Sequence, residues 1–182
     1  PVGGGCINNG SRIETESGAI LFLKWNPSGP PGMFEAEADG LRALRRADAL
    51  RVPEPIGWHD HGSGESWLLL EHVSQGSASR ETDARLAHGL VAIHSHGSDE
   101  GFGWHRDNWI GSLPQGNQAK NNWGHFWRDQ RIGLQLEMAR SRGHLGDAFF
   151  DRVLDITPDA LADVEQADLL HGDLWGGNWF IS

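Results

Sequence analysis

The feature that most constrains this sequence is a short polar motif, in which His171, Gly172 and Asp173 are followed by Asn178 between two short apolar runs. In the pattern H-x-D-x-x-x-x-N, the Asp is placed to accept a proton from a hydroxyl group and the Asn to bind Mg²⁺. His-Gly-Asp also forms ordinary turns, so the motif alone leaves both interpretations open. The flanking runs predict a strand, a loop and a second strand over residues 169–182.

The composition excludes several classes of protein. Asp and Glu total 25 against 15 Lys and Arg, a formal net charge of −10, which argues against a nucleic-acid binder because that surface needs a basic stripe. A local basic pocket for one nucleotide remains compatible with this charge. The longest apolar stretches are far too short to span a bilayer, so no membrane association is predicted. The single cysteine, Cys6, excludes an internal disulfide and fits a reducing, cytoplasmic compartment.

Hydrophobic patterning divides the chain into two regions. Residues 1–73 are predicted to form strands around one helix, and residues 74–182 to be mostly helical with long polar loops. In the first region we expect the following elements: a hairpin of Arg12–Glu16 and Ala19–Trp25 about Ser17-Gly18, a helix over Met33–Leu50, and strands over Pro55–His59 and Trp67–Glu71. Three prolines within residues 26–32 should end the second hairpin strand.

The second region has its own pattern. We expect helices over Glu81–His94, Trp123–Ser141 and Phe149–Val164, and an ordered loop over Phe102–Asn122. Trp123 and Trp127 lie one helical turn apart, which most simply indicates core residues. His59/His61 and His94/His96 have no cysteine partner, so a zinc site is not expected there.

Three features in the first region bear on the motif. Lys24 lies on the strand that follows a glycine-rich stretch, where a lysine reaches nucleotide phosphates in kinases, although a strand lysine is often only a solvated charge. Glu37 lies on the apolar face of the next helix and needs a cation, for which Lys24 is the natural partner, unless Glu37 is merely a boundary residue. Leu68–Val73 has the form of a strand entering an interlobe hinge that could pair with adenine, or of a plain buried strand.

The order of these parts favours one fold. A glycine-rich loop, a strand lysine, a helix glutamate, a hinge strand, a helix and then the HGD motif are in the kinase-like order, and their chance assembly is improbable. The glycines at positions 3, 4, 5 and 10 do not fit G-x-G-x-x-G, but the backbone amides of residues 4–8 could still cradle phosphate oxygens. We therefore predict an α+β, protein-kinase-like two-lobed fold: a small antiparallel-sheet N-lobe, residues 1–73, and a mostly helical, incomplete C-lobe, residues 74–182.

Longer segments carry a family resemblance from Gly3 to Phe180. The segments GGGCIN, FLKWN, MFEAEADGLRAL, FGWHRDNWIGSLPQGN, Trp123–Arg131 and LLHGDLWGGN resemble the fructosamine-3-kinase (ketosamine-3-kinase) family, in the aminoglycoside-phosphotransferase-like branch of the kinase fold. This resemblance implies ATP- and Mg²⁺-dependent phosphorylation of the 3-hydroxyl of a ketosamine, either a small molecule or a glycated protein lysine. The unstable product then releases the amine, which amounts to deglycation.

The resemblance also implies roles for individual residues. Asp173 would be the catalytic base and Asn178 a Mg²⁺ ligand, with Lys24 contacting the phosphates and Glu37 as its partner. The remaining implied ATP contacts are Gly4, Gly5, Cys6, Ile7 and Asn8 in the phosphate loop, and Glu71 and Val73 beside the adenine. The implied sugar-amine contacts are Asp107, Asn108, Gln115 and Trp175, although Asp107-Asn108 is equally typical of a turn.

Several alternatives remain open at this stage. Another small-molecule kinase of the same branch, acting on an aminoglycoside, choline or homoserine, would share the HGD motif, and a non-catalytic nucleotide-binding fragment would share most of the parts. The branch carries a second Mg²⁺ ligand, an Asp beyond the catalytic loop, which the sequence does not reach, so we expect a fragment that also lacks its first strand. Cys6 is either a small loop residue or a redox switch that links two chains into a homodimer.

Overall fold

The computed structural model describes residues 8–60, 64–144 and 146–182. It has an α+β architecture, as predicted, with six strands, five α-helices and one π-helical turn among the described residues. In chain order these are β1 Asn9–Glu14, β2 Ile20–Gly29, α1 Met33–Arg46, β3 Pro55–His59, β4 Gly64–Glu71, α2 Thr82–Ile93, β5 Asn108–Ile110, β6 Leu113–Gln115, α3 Trp123–Trp127, the π turn Arg128–Ile132, α4 Gly133–Ser141 and α5 Asp147–Ala160.

The chain forms two compact units. The first contains the described residues up to His96 together with Trp109–Leu113 and Leu169–Ser182, and the second contains Gly97–Asn108 and Pro114–Asp168. The predicted lobes at residues 1–73 and 74–182 stay a prediction. None of the helices formed by the described residues has the length and apolar character that crossing a bilayer requires.

The first unit is built on a four-stranded antiparallel sheet in the order β1-β2-β4-β3. Alternate residues of β4 point to one face, and on that face Leu68 and Leu70 pack against Phe34 and Ala38 of α1. These four side chains are buried and form the core of this unit. The sheet and α1 therefore hold one another in register, which fixes where the polar residues of β2 and α1 meet.

Strand β2 is longer than the sequence predicts. The proline-rich segment was expected to end the strand at Trp25, but β2 continues through Pro27 to Gly29. Its pairing with β4 is irregular between Asn26 and Gly29, and its pairing with β1 ends at Trp25. A proline is tolerated in a strand at such a bulge, where one ladder hydrogen bond is already missing, and that explains the wrong prediction.

Helix α1 ends earlier than predicted. It stops at Arg46 rather than at Leu50, and Asp48 has a φ of 49°. A left-handed residue cannot continue an α-helix, so the chain turns there toward β3. Strands β3 and β4 and helix α2 lie where the sequence places them, within three residues at each end.

The second unit contains a helical run with an internal irregularity. The single predicted helix over Trp123–Ser141 is instead α3, a π-helical turn and α4, with the amide of Gly133 bonded to the carbonyl of Arg128. Helix α5 ends at Ala160, four residues before the predicted end, shortly after Pro158, which has no amide hydrogen to donate. Trp123 packs beside the buried cluster of Phe102, Phe126 and Ala167, as predicted for a core residue, whereas Trp127 is exposed.

Two further segments differ from the predictions. The expected loop over residues 102–122 contains the short paired strands β5 and β6. Conversely, the predicted strands in residues 169–182 do not form: this fully described segment has no assigned strand. Its ends make single hydrogen bonds to neighbouring backbone, Leu169 N to His96 O at 3.0 Å and Gly76 N to Ile181 O at 2.7 Å, where a strand needs a continuous ladder.

Candidate active site

An ion pair joins β2 to α1. Lys24 lies on β2 opposite Leu68, so its side chain shares the face of the sheet that packs on α1. Glu37 lies on that helix, and Lys24 Nζ is 2.5 Å from Glu37 Oε1. Both side chains are only 27–28% exposed, so each needs the other as a counter-charge. The structure thus brings together the two residues that the sequence pairs.

The described part of the predicted phosphate loop is its last residue, Asn8. Its side chain accepts a hydrogen bond from Asn26 Nδ2 at 2.9 Å, and its own amide points to Met33 Sδ at 3.8 Å. Asn26 is buried on β2 and Met33 begins α1, so Asn8 ties the end of this loop to both elements. The other predicted contacts, Gly4, Gly5, Cys6 and Ile7, lie outside the described residues.

The predicted hinge begins at Glu71, the last residue of β4. Its amide donates to Glu54 O at 2.9 Å, so Glu71 can offer adenine its carbonyl but not its N–H. Its carboxylate accepts from Arg51 Nη2 at 2.7 Å and from Glu54 N at 3.3 Å. The Arg51 hydrogen bond is the main cause that holds the pKa of Glu71 below its usual value. Within the described chain, the backbone of Val73 makes no hydrogen bond, so both its N–H and its C=O are available to a ligand.

The predicted catalytic loop is held at both ends within the first unit. Leu169 N donates to His96 O, just beyond α2, and Ile181 O accepts from Gly76 N, in the segment that follows β4. Between these points, Gly172 has a φ of 82°, a conformation that glycine adopts without strain. The backbone therefore turns sharply immediately before Asp173, which explains why glycine occupies the middle of the motif.

The carboxylate and the amide of the motif lie against each other. Asn178 Nδ2 donates to both Asp173 O and Asp173 Oδ2, each at 2.9 Å. Among the described residues no hydrogen bond is made to Asp173 Oδ1 or to Asn178 Oδ1, and both residues are exposed. One carboxylate oxygen is thus fixed by the loop and the other is left for a ligand. The sequence predicted the two residues, and the structure places them in direct contact.

His171 is a participant that the sequence analysis did not assign a role. Its Nδ1 faces the backbone amide of Asp173 at 3.4 Å, and it is less exposed than the rest of the motif. Burial lowers the pKa of His171, and the neighbouring Asp173 carboxylate partly opposes that shift. The neutral form, in which Nδ1 can accept the Asp173 N–H, is therefore favoured in the folded chain.

This shift predicts a pH dependence of stability. Because the folded pKa lies below the unfolded value of about 6.5, the contribution of His171 is fully present above that value and is lost as the pH falls through the folded pKa. We expect the thermal midpoint of the wild type to fall more steeply from pH 7.5 to pH 5 than that of His171→Asn. His88→Asn, at an exposed position of α2, is the control and should keep the wild-type slope. Parallel curves for the wild type and His171→Asn would contradict the assignment.

The exposed indole of Trp175 lies over Gly177 in the same loop. A Cβ at Gly177 would come within 2.3 Å of the Trp175 ring, so a side chain at that position would displace the indole. Trp175 is 51% exposed and its carbonyl accepts from Asn178 N at 2.9 Å. The loop therefore carries an exposed flat apolar surface two residues after Asp173.

The predicted substrate residues of the second unit lie around a buried polar network. Asn117 is 2% exposed, and it bonds to Arg106 O at 3.0 Å and to Arg131 Nη2 at 2.6 Å. Asp107 Oδ1 accepts the amide of Asn117 at 2.9 Å, so one oxygen of Asp107 serves this turn. Burial lowers the pKa of Arg131, whose guanidinium also lies 4.5 Å over the ring of Phe126.

Asn108 and Gln115 lie on the paired strands β5 and β6. The Oδ1 atom of Asn108 is buried and has no hydrogen-bond partner among the described residues. Asn117 and Arg131 hold these strands through Arg106 and Gly116, and sequence reasoning did not find them. The sequence shows only a polar PQGN segment and, further on, an arginine in a predicted helix. Neither feature indicates that Asn117 and Arg131 are buried.

Removing the centre of this network should destabilise the second unit. In Asn117→Ala the Arg106 carbonyl and the half-buried Arg131 each lose a partner, so we expect the free energy of unfolding to fall by about 2–4 kcal/mol. Urea unfolding followed by tryptophan fluorescence measures this change. Asn121→Ala removes the same side chain from an exposed position and should change stability by less than about 0.5 kcal/mol. Equal effects of the two substitutions would contradict a buried structural role for Asn117.

The donor set for a metal ion is small. Across residues 8–60, 64–144 and 146–182 there is no group of three or more His, Cys, Asp or Glu side chains that could hold one. Of the two histidine pairs named in the sequence analysis, His61 lies outside the described residues. Asn178 Oδ1, beside the Asp173 carboxylate, nevertheless offers a hard oxygen atom, the ligand type that Mg²⁺ prefers. This donor set fits an ion that keeps several waters and is shared with substrate phosphates.

Comparison with known proteins identifies the family to which this chain and its fold belong. A sequence profile described as fructosamine kinase matches residues 1–182. The chain is 39% identical to the chloroplastic protein-ribulosamine 3-kinase of Arabidopsis thaliana, over 97% of this chain and 55% of that protein. It is 30% identical to the ketosamine-3-kinase of Mus musculus, over 97% of this chain and 65% of that protein. A solved structure of a candidate fructosamine-3-kinase from Thermobifida fusca covers 100% of this chain and 63% of its own, with a TM-score of 0.84 and 33% identity.

The antiparallel sheet with its Lys24–Glu37 pair, together with this structural likeness, defines a protein with a kinase-like α+β fold. The chain belongs to the fructosamine kinase family. It spans 55–65% of the length of the two curated relatives described above.

Proposed function

We propose that the protein uses ATP to phosphorylate the 3-hydroxyl of ketosamines, the adducts of a sugar with an amine, and so leads to deglycation. The observation that carries this proposal is the Lys24–Glu37 ion pair between β2 and α1. In kinases a lysine held by a helix glutamate contacts the nucleotide phosphates. The names of the curated relatives, a ribulosamine 3-kinase and a ketosamine-3-kinase, support the choice of acceptor.

Phosphoryl transfer asks the protein mainly to position groups and to stabilise charge. Asp173 Oδ1, which the loop leaves uncommitted, would accept the proton of the sugar hydroxyl. Lys24, oriented by Glu37, would stabilise negative charge on the phosphates. Asn178 Oδ1 would hold Mg²⁺, which when bound supplies positive charge to the phosphate oxygens.

The remaining site residues are assigned as part of the same proposal. The phosphate loop, Gly4, Gly5, Cys6, Ile7 and Asn8, would surround the phosphates, with Asn8 as its anchor. The carbonyl of Glu71 and the backbone of Val73 would pair with adenine. Trp175 would pack against the sugar, because exposed indoles offer sugars a flat apolar face. Asp107, Asn108 and Gln115 would contact the sugar-amine substrate.

A single assay separates the candidate functions. Consumption of ATP is measured with ribulose-lysine, with fructose-lysine and with an aminoglycoside, for this chain and for a full-length relative as reference. We expect turnover with the ketosamines and none with the aminoglycoside. Turnover with the aminoglycoside alone would instead identify another small-molecule kinase, and ATP binding without turnover would identify a nucleotide-binding module. Comparing free ribulose-lysine with a glycated protein tests which form of the acceptor is used.

We also propose a redox role for Cys6 and a cytoplasmic location. Peroxide would oxidise two Cys6 thiols from two chains to one disulfide and would itself be reduced to water, giving a homodimer. Non-reducing gels with and without peroxide test this, and the absence of a dimer band would exclude it. The single cysteine fits a reducing compartment. The net charge of −10 supports an absence of nucleic-acid binding.

A further inference from the structure

The carboxylate of Glu71 is the centre of a polar cluster that we name the Glu71 clamp, formed by Arg45, Arg51, Glu54 and Glu71. Arg51 Nη2 donates to Glu71 Oε1 at 2.7 Å, and Glu54 N donates to Glu71 Oε2 at 3.3 Å. Arg45 approaches the same carboxylate at 3.8 Å and the Glu54 carboxylate at 3.6 Å. Both oxygens of Glu71 are therefore engaged, each by a different donor.

The clamp fixes the backbone of Glu71 as well as its side chain. The amide of Glu71 donates to Glu54 O at 2.9 Å while the amide of Glu54 donates back to the Glu71 carboxylate. This reciprocal pair restrains both the peptide that precedes Glu71 and the Glu71 side chain. Glu71 ends β4, and the chain beyond it, from residue 72 to residue 79, has no regular structure. The direction in which the hinge backbone leaves the sheet is consequently set at Glu71.

The clamp also reaches the helix that carries Glu37. Arg45 lies in the last turn of α1, and its guanidinium donates to Val52 O at 2.6 Å. Glu37 lies about two turns earlier on the same helix, roughly 12 Å along its axis. Helix α1 therefore contacts Lys24, the lysine expected at the phosphates, through Glu37. Through Arg45 the same helix contacts Glu71, the hinge residue expected at the adenine.

A purely stabilising role explains this cluster poorly. Arg51 is 57% exposed and Glu71 34% exposed, and exposed ion pairs of this kind contribute little to folding stability. The clamp instead orients Glu71, because side-chain and backbone donors from separate parts of the chain converge on its carboxylate. A fixed backbone orientation matters most where the backbone itself binds a ligand.

We propose that Arg51 and Arg45 are positioning residues for nucleotide binding, which act through Glu71 to pre-orient the hinge backbone for the base of ATP. This inference rests on the proposed function, since it takes ATP to be the ligand. A pre-oriented hinge binds the base without first losing conformational freedom, so the clamp raises the affinity for ATP. It leaves the contacts to the phosphates unchanged, because those depend on Lys24.

The test compares a base-containing ligand with one that has no base. A fluorescent ATP analogue is bound to the chain and displaced by ATP or by inorganic tripolyphosphate, in the wild type, Arg51→Gln and Arg46→Gln. Arg46 is the matched control, an exposed arginine next to Arg45 that is not part of the clamp. We expect Arg51→Gln to weaken ATP about 5- to 10-fold and to change tripolyphosphate less than 2-fold, and Arg46→Gln to change neither. Arg51→Lys, which keeps one donor to Glu71, should recover most of the ATP affinity.

The outcomes discriminate between the proposals. Equal weakening of ATP and tripolyphosphate by Arg51→Gln would overturn the positioning role, because a general structural defect affects both ligands. Unchanged ATP affinity in Arg51→Gln would also overturn it, while leaving the proposed function intact. A wild-type chain that binds neither ATP nor its analogue would overturn the proposed function and this inference with it. Thermal midpoints of all variants identify any that fold poorly, and Arg51→Lys then supplies the comparison.

Discussion

We expect Asp173→Asn to abolish measurable phosphoryl transfer, with a fall of about 10²- to 10⁴-fold in kcat, while ATP still binds with near wild-type affinity. The substitution removes the oxygen that would accept the hydroxyl proton, and general-base catalysis of this kind is worth about 10²- to 10⁴-fold. The loop geometry should survive, because the carbonyl oxygen of the new side chain can still accept the Asn178 Nδ2 hydrogen bond, as Asp173 Oδ2 does. Ketosamine-dependent ATP consumption and nucleotide binding are measured on the same preparation.

The control for this experiment removes the same charge elsewhere. Asp163→Asn changes an exposed residue that follows α5 in the second unit, and it should leave turnover within 2-fold of the wild type. If Asp173→Asn phosphorylated a ketosamine at the normal rate, Asp173 would not be the base and the proposed mechanism would be wrong. Loss of ATP binding in Asp173→Asn would point instead to a collapsed loop.

Lys24→Met is expected to lower kcat/KM for ATP by about 10²- to 10³-fold, the range found when one preorganised donor to a developing charge is removed. It removes the cation that Glu37 contacts at 2.5 Å and that would face the phosphates. The methionine has nearly the same length, so packing between β2 and α1 should change little. Initial rates at varied ATP concentration, together with the affinity for tripolyphosphate, measure the effect.

The sequence offers a closely matched control, because its one other lysine is also in an ion pair. Lys120 Nζ lies 3.1 Å from Asp129 Oδ2, and both side chains are 29% exposed, almost as for Lys24 and Glu37. Lys120→Met therefore breaks an ion pair of similar exposure in the second unit, where Arg128 still contacts Asp129 at 2.7 Å, and it should leave the affinity for phosphates unchanged. Similar losses in the two variants would show that the effect of Lys24→Met comes from a broken ion pair in general.

Much of the first unit could be predicted because its signals are local. The alternation of apolar residues in β4 and the apolar face of α1 could be recognised in the sequence. The role of Glu37 could be recognised as well, because a carboxylate on that apolar face needs a cation nearby. The strand through Pro27 could not be predicted, because a proline is tolerated there only by virtue of a bulge in the pairing with a distant strand.

The second unit was less predictable because its organisation depends on burial. Nothing in the local pattern distinguishes Asn117, which is almost fully buried, from the exposed Asn121 four residues later. Asn117 becomes central only when Arg131, on the π turn, folds back onto it. In the same way, the apolar runs around the HGD motif resembled strands, but a strand exists only if a partner ladder forms, and that depends on residues far away in the sequence.

Helix α1 carries both Glu37 and Arg45, so the spacing between these two residues limits the mutations that the helix can accept. Each α-helical residue advances the side-chain direction by about 100°, so one residue inserted between positions 37 and 45 would turn Arg45 away from Val52 and Glu71 while Glu37 stayed beside Lys24. Substitutions on the solvent side of this stretch preserve that phase, whereas insertions and deletions destroy it. The spacing of these residues along α1 is therefore constrained even at positions where the identity of the side chain is not.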